Sequence, residues 1–258
     1  MHTYEEYRQI LELWEQGKKK KRIAIITGIN RATVRECIVR YESVAGLIAY
    51  KELHPDIPHN VRILRAGDDI RQEDLFKAYS YLLGVYLGDG NITPQPRTYK
   101  LRIACDTHYP NLIEEMKRAI SVITPFNVVN TVPNQGNCLE IYCHNNFWPD
   151  LFPQHGKGPK HRRPIILQEW QSRIVSKYPR EFVKGLLHTD GSRTNNVVKG
   201  KNYPRYEFCN YSADIRKLFS DTCDLLGLHW TPSSNGILVQ IARRADVAFL
   251  DQFIGPKS

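Results

Sequence analysis

Asp89 and Asp190 are the residues whose types and setting point most directly to chemistry. Each is followed by Gly and each closes an almost wholly apolar run, Leu82-Leu83-Gly84-Val85-Tyr86-Leu87-Gly88-Asp89-Gly90 and Val183-Lys184-Gly185-Leu186-Leu187-His188-Thr189-Asp190-Gly191. A carboxylate in the last turn of a helix is unfavourable, because unpaired carbonyls already make that end negative. The Gly after it suits a left-handed C-cap. Two such helices lying side by side with their C-termini together would bring like charges and like dipole ends into one place. A cation resolves that conflict, and hard oxygen ligands favour Mg²⁺ or Mn²⁺.

Those two runs must be helices of an unusual kind. A solvent-facing helix shows a polar side, whereas these are apolar nearly throughout, with Gly84 and Gly185 followed one turn later by the small residues Gly88 and Thr189. That pattern suits buried helices whose backbones approach closely, and the natural partner of each is the other copy. The residues after each run are also alike. Tyr99–Asp106 and Tyr203–Asn210 read as strands, residues 111–123 and 213–226 as amphipathic helices, and Pro133-Asn134-Gln135-Gly136 and Ser234-Asn235-Gly236 as hairpin turns between β-rich runs. The copies end on Gly158-Pro159-Lys160 and Gly255-Pro256-Lys257. Gly84 to Gly185 spans 101 positions, Cys105 to Cys209 104, Gly136 to Gly236 100 and Gly158 to Gly255 97, so the repeat drifts only by loop-sized insertions.

The doubled motif with its intact Asp-Gly resembles that of the LAGLIDADG homing endonucleases, over residues 75–258. The resemblance implies an α+β fold of tandem pseudo-two-fold repeats with saddle-shaped antiparallel sheets, residues 75–163 forming the first and 164–258 the second, in a monomer with internal pseudo-symmetry. It implies a site-specific, Mg²⁺-dependent endonuclease that binds and cuts double-stranded DNA. Asp89 and Asp190 would be the acidic metal ligands, one for each strand, with the backbone carbonyls of Gly88 and Thr189 beside them. Hydrolysis of a phosphodiester needs an activated water, neutralised transition-state charge and a stabilised leaving oxygen, all of which divalent metals supply. The family also places a basic residue near each metal after the last helix of the copy. Lys160 and Lys257 stand there, although Lys257 could equally belong to a frayed end. His188 has no counterpart in the first copy, where Leu87 stands; it is either a packed, hydrogen-bonded core residue or an extra acid or base. Proteins resembling this fold also include transcriptional regulators that bind DNA without cutting it, and intron RNA maturases. The retained acid pair favours the nuclease over the regulator, and gel shifts with structured intron RNA against duplex DNA would separate the maturase.

Before residue 75 the chain reads differently. Residues 4–16 form a helix with Tyr4, Tyr7, Ile10, Leu11 and Trp14 on one stripe, ended by Gly17. A basic run leads into a segment that resembles a helix-turn-helix, with small Ala24 at the crossing, Gly28 at the turn, Asn30 as cap, and Val34 and Ile38 as anchors. Such a module, residues 1–43, places its second helix in the major groove, making Arg31, Thr33, Arg35 and Arg40 candidate DNA contacts. A basic three-helix bundle that binds protein is the competing reading. Residues 44–74, broken by His54-Pro55-Asp56-Ile57-Pro58-His59, read as a linker.

Composition agrees with a polyanionic partner. Among 258 residues there are 36 Lys and Arg against 27 Asp and Glu, a formal charge of +9. Basic residues fall among the expected strands, at Arg97, Lys100, Arg102, Arg193, Lys199, Lys201 and Arg205, where a sheet face can follow a DNA groove. The loop of residues 155–163 concentrates His, Lys and Arg and is expected to touch phosphate. Six cysteines include no Cys-x-x-Cys, and there is no signal peptide or membrane-length apolar run, so a cytoplasmic, nucleoid-associated protein is expected.

Overall fold

The computed structural model describes residues 4–42, 73–125 and 127–255. The chain divides into two compact units, Met1–Pro55 and Asp56–Ser258. The linker expected over residues 44–74 lies outside the described residues except for Glu73 and Asp74, which open a helix.

In the first unit, α1 (Tyr4–Glu15), α2 (Lys20–Thr27) and α3 (Arg31–Glu42) surround a small core. Ile10, Leu11, Ile23, Ile29, Val34, Cys37 and Ile38 are buried in it, with Trp14 and Ala24 packed at its edge. Gly28 ends α2 with φ 69°, a left-handed conformation that favours Gly. Asn30 then caps α3, its Oδ1 accepting from the Ala32 amide at 2.8 Å.

The second unit holds two α+β repeats in tandem. The first comprises α4 (Glu73–Gly88), β1 (Gly90–Gln95), β2 (Thr98–Asp106), α5 (Pro110–Ile123), β3 (Val129–Pro133), β4 (Cys138–His144), the short α6 (Trp148–Leu151) and a 3₁₀ turn (Lys160–Arg162). The second comprises α7 (Glu169–Lys177), α8 (Pro179–Asp190), β5 (Gly191–Val198), β6 (Lys201–Cys209), α9 (Ala213–Leu225), β7 (Thr231–Pro232), β8 (Leu238–Ile241) and α10 (Arg244–Asp251). The sheets are antiparallel with orders β1-β2-β4-β3 and β5-β6-β8-β7, the same topology twice. Period-two alternation decides their faces. Leu101, Ile103, Ile141 and Cys143 point into the core of the first repeat, and Tyr206, Phe208, Val239 and Ile241 into that of the second. Lys100, Arg102 and Glu140 occupy the opposite, open face of the first sheet, and Arg205 and Glu207 that of the second.

Strand register corrects one equivalence. Gly90 pairs with Ile103 and Gly191 with Phe208, so the second strands correspond at an offset of 105 rather than 104. Cys105 therefore matches Asn210, not Cys209, and the hairpin of the second repeat is four residues longer. Matching by residue type aligns the two cysteines, but the side-chain period of two makes a one-residue slip a change of face.

Candidate active site

The apolar helices α4 and α8 pack against each other through their glycines. A Cβ added to Gly84 would stand 2.5 Å from the Phe182 carbonyl oxygen and 2.9 Å from the Leu186 nitrogen. One added to Gly185 would collide with the Tyr81 carbonyl and stand 3.1 Å from the Gly84 Cα. Only glycine lets the backbones approach this closely. One turn on, Gly88 lies under the Thr189 side chain, and its imaginary Cβ would be 3.1 Å from Asp190 Oδ2. The two helix ends thus adjoin, each with its Asp in place.

The glycines after the acids do something other than form a left-handed cap. Gly191 is extended, with φ −100° and ψ 157°, and Gly90 has no positive φ either. In each repeat the backbone passes from helix into strand with at most one residue, Asp89, between them, and the first strand residue passes over the last helical turn. A Cβ on Gly90 would lie 2.5 Å from the Tyr86 Cα, and one on Gly191 2.5 Å from the Leu187 carbonyl oxygen. Glycine is required here for space, not for handedness.

Lys160 reaches into this junction from the end of the first repeat. Its Nζ donates to the carbonyls of Tyr86 at 2.5 Å, Gly88 at 2.8 Å and Gly90 at 2.6 Å. A cation at a helix C-terminus neutralises the dipole and satisfies carbonyls that have no helical partner. Burial pushes the Lys160 ammonium down to about 8, against the opposing pull of Asp89 and Asp190. Both carboxylates, Lys160, His161, Asn210 and Tyr211 border a cleft of about 490 Å³.

Sequence reasoning missed Asn210. Its Oδ1 accepts from the Ser212 amide at 2.8 Å, which turns its Nδ2 to donate to Asp190 Oδ2 at 2.7 Å. Arg216 Nη1 holds the same residue by its carbonyl at 2.6 Å. The signal was the Asn that closes the second strand, obscured by the slipped alignment. In the first repeat Cys105 has that place, beside Asp89 and Asp106 in a second cleft of about 450 Å³.

His188 is buried. Its Nε2 faces the Ile254 carbonyl at 2.9 Å and must donate to it, and its Nδ1 shares a hydrogen bond with the Tyr81 hydroxyl at 3.0 Å. Glu115, ion-paired with Lys184 at 2.5 Å, lies 3.9 Å from the ring. Both nitrogens are thus engaged in packing the second motif helix. The Thr189 hydroxyl turns back to its own helix, within 3.0 Å of the Leu186 carbonyl and 3.2 Å of that of Gly185.

The basic candidates separate by position. Arg97, Lys199 and Lys201 are exposed at the hairpins, and Lys100, Arg102 and Arg205 lie on the open faces near acids. Arg193 faces the other way, binding Asp251 of α10 through Nε at 2.7 Å and Nη2 at 2.8 Å. In the first unit Arg31 and Arg35 are exposed and Thr33 is half-buried on α3; the Arg40 side chain and all of Lys257 fall outside the described residues.

Among the described residues no three His, Cys, Asp or Glu side chains gather into a metal cage. The donors at the junction are two carboxylates and backbone carbonyls, all hard oxygens. They fit a hard divalent cation that keeps several waters, and fit poorly with a soft metal. No described helix is long and apolar enough to cross a membrane.

No family model matches the chain, and no curated protein sequence does. Solved structures similar to it include I-DmoI in complex with DNA and Ca, at 16% identity and TM-score 0.47, covering 71% of this chain and 92% of that one. A variant of I-SmaMI is similar at 11% identity and TM-score 0.45, over 68% and 84% of the two chains. Full-length DUF199/WhiA from Thermatoga maritima is similar at 12% identity and TM-score 0.49, over 76% of this chain and 60% of that one.

Proposed function

We propose that this chain is a site-specific, Mg²⁺-dependent endonuclease of the LAGLIDADG type, acting on duplex DNA. The observation that carries the reading is the junction of α4 and α8, where Asp89 and Asp190 close two adjoining helix ends around one cleft and Lys160 lies within the field of both. Nothing in folding requires two carboxylates at crowded, already negative helix ends; a reaction on a phosphodiester does.

In this mechanism Asp89 and Asp190 would hold the divalent cation, with the Thr189 carbonyl beside them and the Gly88 carbonyl shared with Lys160. When bound there, such an ion would supply charge neutralisation at the scissile phosphate and lower the pKa of water. Asn210 fixes one Asp190 oxygen and so orients that carboxylate. Lys160, anchored to three carbonyls, keeps a cation at a set distance from both acids and stabilises negative charge developing on phosphate oxygens. The exposed cations of the hairpins, Arg97, Lys199 and Lys201, hold the phosphate backbone, and those of α3 extend the contact. Incubation with Mg²⁺ and a randomised duplex library, followed by sequencing of the cut ends, tests the proposal. Recurrent ends around one sequence are expected, and an uncut library contradicts it.

One observation favours a second reading, a regulator that binds DNA without cutting. Lys160 already places a positive charge on the carbonyls that end α4, including that of Gly88. Sequence-specific binding with no cut ends in Mg²⁺ or Mn²⁺ would select it.

A further inference from the structure

If the chain binds DNA as proposed above, the open faces of its sheets meet the most highly charged surface of the duplex. Yet the middle of the first face is built around an acid. Cross-strand register places Lys100 and Arg102 of β2 on the same face as Glu140 and Tyr142 of β4. Lys100 Nζ donates to Glu140 Oε1 at 2.6 Å and stands 4.1 Å above the Tyr142 ring, while Arg102 Nη1 lies 3.5 Å from Glu140 Oε2. Arg102 Nε is buried and has no hydrogen-bond partner. The Glu140 side chain keeps only 16% of its surface exposed and Lys100 21%, so this pair is packed and not a loose surface contact, with Arg102, 41% exposed, at its edge. The second sheet repeats the theme more weakly: Glu207 lies 3.7 Å from Arg205 and accepts from Gln240 at 3.1 Å.

A carboxylate at this place opposes binding to any phosphate backbone, through like-charge repulsion and by engaging the cations that would neutralise phosphates. It opposes base-edge contacts much less, because cytosine N4 donates to a carboxylate and guanine accepts from Arg or Lys in the major groove. We propose that Glu140 is a specificity-determining residue: a built-in counter-ion that suppresses binding to arbitrary duplex by keeping Lys100 and Arg102 off the phosphates. Glu207 does the same for Arg205 to a smaller extent.

The test is the salt dependence of binding to a random-sequence duplex by the full chain, compared with Glu140→Gln and Glu140→Asp, with thermal melting of each. Every phosphate contact adds about 0.9 to the slope of log K against log salt. Glu140→Gln should bind random duplex tighter and steepen that slope by roughly 1–2 units, for one or two released cations. Glu140→Asp, which keeps the charge, should stay near the parent. Equal slopes and affinities for parent and Gln variant overturn the proposal, and so does an Asp variant that steepens as much as the Gln one. Should Glu140→Gln fail to fold, Lys100→Gln decides: an unchanged slope supports capture of that cation, and a slope flatter by about one unit overturns it. A parent chain that binds no duplex at any salt overturns the DNA-binding reading itself, and this proposal with it.

Discussion

Lys160 Nζ lies 2.8 Å from the carbonyl oxygen of Gly88, a residue 72 positions earlier in the chain. The contact makes the end of the first repeat close the end of that repeat's first helix. With the Tyr86 and Gly90 carbonyls also accepting from it, one side chain fixes the turn from α4 into β1 and hence where Asp89 stands. The same three bonds hold the ammonium in a part-buried place within the field of two acids, which is why burial lowers it to about 8 while the acids pull it upward. Structure and proposed chemistry here share a single residue.

The packing of α4 on α8 predicts a steep response to small changes. Gly84→Leu or Gly185→Leu must separate backbones that now touch, and overpacking of this kind costs about 1–3 kcal/mol or more. Thermal or urea melting of the second unit should show that loss in both variants. Parent-like melting in both would mean that the shared helix interface is not what holds the repeats together.

Much of this was legible in the sequence. The small residues at 84, 88, 185 and 189 marked the helix interface, and strand and hairpin positions followed from alternation and Asn-Gly or Gln-Gly turns. Local pattern could not supply what depends on contacts across the chain. The register that matches Cys105 with Asn210 is set by pairing with Ile103 and Phe208, not by composition. The direction of Arg193 shows the same limit: among basic residues on a strand, it alone of those singled out is drawn to the helix side by an acid 58 positions away. For His188 the sequence favoured packing over chemistry without showing what it packs on, since its partners, Tyr81 and Ile254, are 107 and 66 positions distant.

The Arg193–Asp251 pair carries a pH prediction. The hydrogen bond from Arg193 holds the Asp251 carboxyl below its ordinary value of 3.8, helped by the Tyr206 hydroxyl at 2.7 Å. A carboxyl lowered in the folded state contributes stability above its unfolded value, and that contribution disappears as pH falls through the folded value. The parent should therefore exceed Asp251→Asn in stability at neutral pH, by a margin that shrinks on acidification below 3.8. Urea titrations of both proteins across that range check it, and a margin that grows with acid would contradict it.

The first unit should add affinity without directing chemistry, since Arg31 and Arg35 are exposed on α3 while both motif acids belong to the second unit. Deleting residues 1–43 is expected to weaken duplex binding, flatten its salt dependence by about one unit for each phosphate no longer held, and shorten the protected footprint. The cut position should not move. Footprinting of the truncated and full chains decides this, and an unchanged footprint and affinity would assign α1–α3 to some other partner.

Whether the two motif acids form one reaction centre is decided by strand-resolved cleavage, in Mg²⁺, of a duplex selected by the full chain, comparing the parent with Asp89→Asn and Asp190→Asn. Because each Asp ends its own motif helix at a shared junction, each substitution should abolish or badly slow cutting, leaving at most a nick in one strand, while binding of the same duplex stays near that of the parent. Both single variants cutting both strands at the parental rate would contradict this assignment.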